Sequence, residues 1–223
     1  MLFFSLMFMV SRRLFLLTTL AITCTGVMAT EPAYMKLKTP LPNSAGTLTK
    51  IFSYDCPFCY RYDNGVDAEL AKKAAEVAGL KFNPVFLENR AKYGKTATLF
   101  LAYCSIEDKK AGRSVTDKES LFSRAKNAMY FSYLKEKNRW EGGKSDFLRT
   151  LTEATGISEE TFTAHSKDPE VLALRDAWRP VEAVAAIQGI PAYVVNGRYL
   201  ILNKVVRSKN ELTELVEKLA KLP

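Results

Sequence analysis

Thr47-Leu-Thr-Lys-Ile-Phe-Ser-Tyr54 runs directly into Asp55-Cys56-Pro57-Phe58-Cys59-Tyr60. The first of these stretches is β-branched and aromatic around a single charge, Lys50, and reads as a buried strand. Asp55-Cys56-Pro57 stops it, and Pro57 suits the first position of a helix, where its missing N–H would have had no partner. That helix runs through Ala68-Glu-Leu-Ala-Lys-Lys-Ala-Ala75 to Gly79, a good C-terminal stop, and a second strand follows from Lys81 to Leu87. Cys56 and Cys59 therefore sit where a strand becomes a helix, three apart on its first turn. Positions so spaced share a face, so their sulfurs can bond or separate with little backbone motion.

Unpaired N–H groups and the macrodipole at a helix N-terminus favour an anion, which lowers the pKa of Cys56 from the free value of about 8.5. Cys59, one turn in, is expected to be more buried. The division of labour that follows makes Cys56 the exposed nucleophile or leaving group and Cys59 the resolving thiol. Two other readings compete. Half a zinc site needs further ligands, and the candidates Cys104 and His165 lie alone on separate helical stretches. A static disulfide across two residues closes too small a loop to stabilise much. A redox dithiol is favoured over both, and no metal or cofactor is implied.

Working outward, the periodicity is helical from about Tyr93 to Ile187, with breaks at Gly112, Gly142-Gly143, Gly156 and Pro169. So long a helical run between strands predicts an α/β fold with an inserted helical domain. The division places the α/β domain at residues 30–90 and 186–223 and the insertion at 91–185. Ala192-Tyr-Val-Val195, Asn196-Gly197 and Arg198-Tyr-Leu-Ile201 predict a hairpin closed by a type I′ turn. Ser208-Lys-Asn-Glu211 opens a last helix to about Leu219. Gly189-Ile190-Pro191 precedes a strand directly, an awkward place for proline unless it has a purpose. A cis Ile190-Pro191 bond would leave the backbone of Ile190 free to pair with an extended peptide.

The chain has 223 residues, 32 Lys+Arg against 24 Asp+Glu, one His, four Cys and 48% hydrophobic residues, which excludes disorder and a disulfide-dense miniprotein. At its start, Ser11-Arg12-Arg13, the apolar run Leu14 to Ile22, and Val27-Met28-Ala29 follow the basic, apolar, small order of a secretory signal ending at residue 29. Ser-Arg-Arg-Leu-Phe-Leu-Leu also resembles a twin-arginine signal, so the export route stays open, as does Met9 as an alternative start. Without residues 1–29 the chain loses two arginines and one cysteine, leaving 30 basic residues against 24 acidic, a net +6, and three cysteines. An odd number in an exported chain means that at least one thiol is free or reactive. Export also argues against a nucleic-acid partner for the basic charge and for an anionic protein or small molecule.

Phe52-Ser53-Tyr54-Asp55-Cys56-Pro57-Phe58-Cys59-Tyr60 and Ile187-Gln-Gly189-Ile190-Pro191-Ala-Tyr-Val-Val-Asn-Gly197 together resemble the DsbA family of periplasmic thiol:disulfide oxidoreductases. The Pro57-Phe58 dipeptide, Tyr93-Gly94-Lys95, and Arg139-Trp140 through Gly143-Lys144 are most like its DsbL branch. The resemblance covers the whole chain after the signal. It implies a thioredoxin fold with an inserted helical domain, oxidation of exported proteins, and reoxidation by a quinone-linked membrane partner of the DsbB/DsbI type; a monomer is expected. For the DsbL branch it implies a dedicated client such as an arylsulfate sulfotransferase. Carried over by position, Cys56 and Cys59 are the redox pair and Pro191 the cis-proline. Phe58, with Pro57, stands between two reactive cysteines and is expected to contact partners rather than to be an ordinary surface aromatic, and the backbone of Ile190 is expected to face substrate.

Two departures from the broader family stand out. The dipeptide lacks a histidine, so other charges must stabilise the thiolate. Lys50 stands where the family commonly has a buried acid; its ammonium either lies under the active site, tuning Cys56, or points to solvent from a strand start. Lys81 is a weaker candidate of the same kind, and Cys104 reads as a buried filler of a helix. Against the oxidase stand two other functions: a reductase or isomerase, and a non-enzymatic binding module or chaperone with incidental cysteines.

Overall fold

Five strands form one mixed sheet in the order β1-β5-β4-β2-β3, in a computed structural model that describes residues 32–223. The expected export signal at 1–29 lies outside the described residues. The strands are β1 (Tyr34–Lys36), β2 (Thr47–Phe52), β3 (Lys81–Phe86), β4 (Ala192–Val195) and β5 (Tyr199–Ile201). β2 and β3 are parallel, Thr47 opposite Lys81 through Phe52 opposite Phe86, and the helices α1 (Pro57–Gly65) and α2 (Asp67–Ala78) make the crossover that a parallel pair requires. β4 runs antiparallel to both β2 and β5, and β1 antiparallel to β5. β2 therefore has a strand on each side, and Leu48 to Phe52 are all buried.

β3 ends the sheet, and Pro84 fits on such an edge. The N–H groups of Lys81 and Leu87 donate to Gly46 and Phe52 next door, at 2.9 and 2.8 Å. Alternation then puts the position of Pro84 on the free edge, where the absent N–H costs no ladder bond and blunts an aggregation-prone edge.

On one face of the sheet Leu48, Tyr193, Val195 and Ile201 pack on Leu70 and Ala74 of α2 and on Leu212, Val216 and Leu219 of α9 (Lys209–Ala220). Ser208 caps α9 by accepting the N–H of Glu211 at 3.1 Å, as its sequence predicts. Between β3 and β4 the chain forms α3 (Gly94–Lys110), α4 (Leu121–Tyr130), a π turn at Phe131–Lys135, α5 (Lys144–Thr155), α6 (Glu159–His165), α7 (Pro169–Trp178) and α8 (Val181–Gln188). Phe100, Leu101, Phe122, Met129 and Phe147 from these helices share a core with Ile51, Phe52, Val85, Val194 and Leu200 of the sheet. The described residues belong to one compact unit, so the helical insertion is welded to the sheet by apolar burial.

Two details stabilise this frame. The fully buried carboxylate of Asp108, on α3, accepts the N–H groups of Leu121 and Phe122 at 2.9 Å each and Arg113 Nε at 2.8 Å. It thus caps α4 from another helix. The hairpin turns at Asn196 and Gly197, with φ of 52° and 66°, as a type I′ turn demands. A Cβ on Gly197 would stand 2.8 Å from Ser44 Cβ and 2.9 Å from the Leu41 carbonyl oxygen.

The expected single helix from Pro57 to Gly79 is two. It breaks at Val66 (φ −132°, ψ −47°), after Asn64-Gly65, two poor helix formers. The break falls between Asp63 and Asp67, and both of these acids reach the same buried lysine.

Candidate redox site

Cys56 is the N-cap residue of α1, extended at φ −96° and ψ 106°, and its Sγ accepts the N–H of Cys59 at 3.1 Å. Its own N–H donates to the Ser53 carbonyl at 3.1 Å, which tightens the strand-to-helix turn. From the far end of the sequence the Gly189–Pro191 loop brings the Ile190 carbonyl oxygen to 3.6 Å from Cys56 Sγ. The Ile190–Pro191 peptide is cis. Asn203 fastens this loop: its side-chain amide donates to the Pro191 carbonyl, and its N–H donates to Gln188 Oε1 at 3.0 Å. Residues 134 apart in sequence thus meet at one sulfur.

The expected exposure of Cys56 needs correction. Only 2% of Cys56 is exposed, because the Ile190 carbonyl and the first turn of α1 cover it. What projects into solvent is Phe58, 57% exposed, with the Arg61 guanidinium 5.2 Å from its ring centroid. Pro57 beside it is exposed as well.

The two thiols are electrostatically unequal. The Cys59 side chain hydrogen-bonds to Cys56, and this, opposed by burial and helped by the Cys59 N–H and the charge of Arg90, lowers the Cys56 pKa from 9.0 to about 7. Asp55, next in sequence, pushes the other way. Burial and the same sulfur–sulfur hydrogen bond drive Cys59 far upward. A proton therefore stays on Cys59 while Cys56 is the thiolate.

Lys50 is neither solvated nor an unpaired ammonium under Cys56. It is 1% exposed, bonded to Asp67 and, at 2.7 Å, to Asp63, and it donates to the Cys59 carbonyl at 3.3 Å. Asp63 also bonds Lys126 and accepts from Tyr130 Oη at 2.9 Å, both on α4. Tyr193 Oη of β4 donates to Asp67. Burial alone would lower the pKa of Lys50, but the charges of Asp67 and Asp63 outweigh it and raise it. Burial likewise works against Asp63, yet Lys126 and Lys50 hold it low. Asp67 has only a share of Lys50, and burial keeps it raised, so it is the member most easily protonated. The field of Lys50 bears on Cys59, whose pKa it lowers against burial.

The sequence reading missed Asp63, Asp67, Lys126, Tyr130 and Tyr193. One signal was present: Cys59, Asp63 and Asp67 follow one another at spacing four, one helix face. Lys81 is exposed at the start of β3, and Cys104 is fully buried in α3. The helical-part motifs meet near the redox turn, where Tyr93 Oη donates to the Trp140 carbonyl at 2.9 Å and the Tyr54 ring lies edge-on to Trp140 at 5.2 Å.

No family model matches the chain. The thiol:disulfide interchange protein DsbL of Lelliottia amnigena is 42% identical over 208 residues, covering 92% of this chain and 93% of the relative. The crystal structure of DsbL from Salmonella enterica serovar Typhimurium matches with a TM-score of 0.81 and 43% identity, over 87% of this chain and 98% of that one. Proteus mirabilis DsbA, in a complex structure with a non-covalently bound peptide, is 15% identical and shares the fold at a TM-score of 0.63, over 86% of this chain and 98% of that one.

Proposed function

Because the chain belongs to the DsbA family of thiol:disulfide oxidoreductases, with DsbL proteins among its relatives, we propose that it is a monomeric periplasmic dithiol oxidase that donates a Cys56–Cys59 disulfide to exported proteins. The observation that carries this reading is the geometry of the Cys56–Cys59 turn: Cys56 caps the N-terminus of α1, and its Sγ hydrogen-bonds to the Cys59 thiol and accepts the Cys59 N–H at 3.1 Å, an arrangement that lowers Cys56 to about 7 while burial raises Cys59. A stabilised thiolate favours the reduced protein over its disulfide, and a couple so biased oxidises others.

In the forward reaction a client thiolate attacks Cys56 Sγ, the Cys56–Cys59 bond breaks, and its electron pair goes to Cys59, which takes up a proton. Lys50 is the tuning residue of this step, since its charge favours the buried Cys59 thiolate as it forms. A second client thiolate then attacks the client sulfur of the mixed disulfide, and Cys56 leaves as a thiolate. The client loses two electrons and the protein gains them. Reoxidation falls to a quinone-linked membrane partner of the DsbB/DsbI type.

The exposed Pro57 and Phe58 and the half-buried Ile190 form the surface that meets the client, and the buried cis Pro191 holds the Ile190 backbone beside Cys56. Arg61 beside Phe58 and the mature charge of +6 suit a client with acidic residues near its cysteine. Kinship with DsbL supports a dedicated client, an arylsulfate sulfotransferase. The test is to mix the oxidised protein with a reduced exported protein that carries two cysteines. Appearance of the client disulfide in step with the Cys56 and Cys59 thiols supports the reading; a client that stays reduced while this protein keeps its disulfide contradicts it.

A further inference from the structure

The loop between β3 and α3 carries Arg90 to the redox turn, and its neighbours are all tied down. Leu87 N–H donates to the Phe52 carbonyl at 2.8 Å. Glu88 is clasped by Arg175 of α7, through Nε at 2.8 Å and Nη2 at 2.5 Å, and its carbonyl oxygen would lie 1.8 Å from a Cβ on Gly94. Asn89 N–H donates to Glu182 of α8 at 2.9 Å, and Tyr93 N–H to Tyr54 Oη at 3.1 Å. Between these anchors Arg90 Nε donates to Asp55 Oδ1 at 3.0 Å, and Asp55 immediately precedes Cys56.

A pair this exposed, 45% for the Arg90 side chain, contributes little to stability. Its position suggests another use. Pro57 and Phe58 carry no charge, so a cation for Cys56 must come from outside the motif, and the ammonium of Lys50 is taken by two carboxylates. We propose that Arg90 is an electrostatic positioning residue of the redox site: held by Asp55 on a preorganised loop, it offsets the carboxylate next to Cys56 and stabilises the thiolate that leaves when the mixed disulfide resolves. This rests on Cys56 being the reacting sulfur. The charges that weigh most on Cys56 are those of Arg90 and Asp55, beside the Cys59 thiol and Tyr130 of α4, which burial keeps protonated. Among them Arg90 is the cation, and its charge acts to lower Cys56.

The experiment compares Arg90→Gln and Arg90→Lys with the parent by thiolate absorbance against pH, by glutathione equilibration at about pH 8, and by urea unfolding of the oxidised form. Cys104 does not interfere, since burial drives its pKa well up. Arg90→Gln raises the Cys56 midpoint by about half a unit and moves the glutathione equilibrium about threefold towards the protein disulfide. Arg90→Lys keeps most of the parent values, and the oxidised form of each variant unfolds at nearly the parent urea concentration. If Arg90→Gln keeps the parent midpoint and glutathione equilibrium, or if Arg90→Lys shifts as far as Arg90→Gln, the role of Arg90 is overturned. A parent in which no thiolate forms on Cys56 overturns this role and the redox reading together.

Discussion

The N–H of Cys59 points at Cys56 Sγ from 3.1 Å, so Cys59 stabilises charge on Cys56 through its backbone as well as its thiol. Such a bond is strongest when the sulfur carries charge. It therefore favours the state in which the protein has given its disulfide away.

One consequence is a pH-dependent difference between the two redox forms. The Cys56 pKa is depressed in the folded dithiol, about 7 against an ordinary 9.0. A depressed acid contributes stability that is fully present above the unfolded value and is lost as pH falls through the folded one. The disulfide form has no such contribution. Urea unfolding of both forms from about pH 6 to about pH 9 is expected to show the reduced protein gaining on the oxidised one as pH rises. Parallel curves contradict the assignment.

Replacing Cys59 with Ser is expected to trap clients on Cys56. Cys56 can still attack a client disulfide, forming the mixed disulfide and releasing the client's other sulfur as a thiolate, while Cys59, through which the protein would free itself by re-forming its own disulfide, is missing. Non-reducing gels of cells making the variant then show covalent complexes that vanish when Cys56 is also replaced. Complexes that persist through Cys104 contradict the assignment, and its complete burial in α3 argues that none will form.

Lys50→Met leaves Asp63 and Asp67 sharing a buried site without their common cation. Removing one partner of such a pair costs about 3–5 kcal/mol, so both redox forms are expected to unfold at markedly lower urea. The Cys56 midpoint moves little, because the charge of Lys50 was spent on two carboxylates and bore on Cys59. A Cys56 midpoint that rises strongly, with stability unchanged, returns Lys50 to a direct role beneath Cys56.

Asp108→Asn removes a charge that holds the first turn of α4 and Arg113 together. The loss of charge-assisted hydrogen bonds is expected to cost about 1–3 kcal/mol. Chemical denaturation measures it, and a variant as stable as the parent shows that an uncharged amide oxygen at this position suffices to cap α4.

The features legible in the sequence are those fixed by local chemistry. Pro57 announces a helix start, Asn196-Gly197 a type I′ turn and Ser208 a helix cap, and each occupies that place in the fold. What the sequence concealed depends on elements crossing in space. The cover over Cys56 comes from Ile190, 134 residues away, and the ion cluster around Lys50 joins β2, α1, α2, α4 and β4. The strand position of Lys50 suggested burial, but only the break at Val66 and the spacing of Asp63 and Asp67 reveal what neutralises it. Arg90 belongs to a loop whose shape is set by α7 and α8, and no local pattern announces it.

The most direct test of the central claim, that this dithiol is built to give its disulfide away, is equilibration of the purified protein without residues 1–29 against glutathione. The proposed oxidase role predicts a reversible couple at the oxidising end, near the value of about −120 mV typical of DsbA. A couple near the value of about −270 mV typical of thioredoxin would contradict the oxidase, and the absence of any reversible couple would contradict redox function altogether.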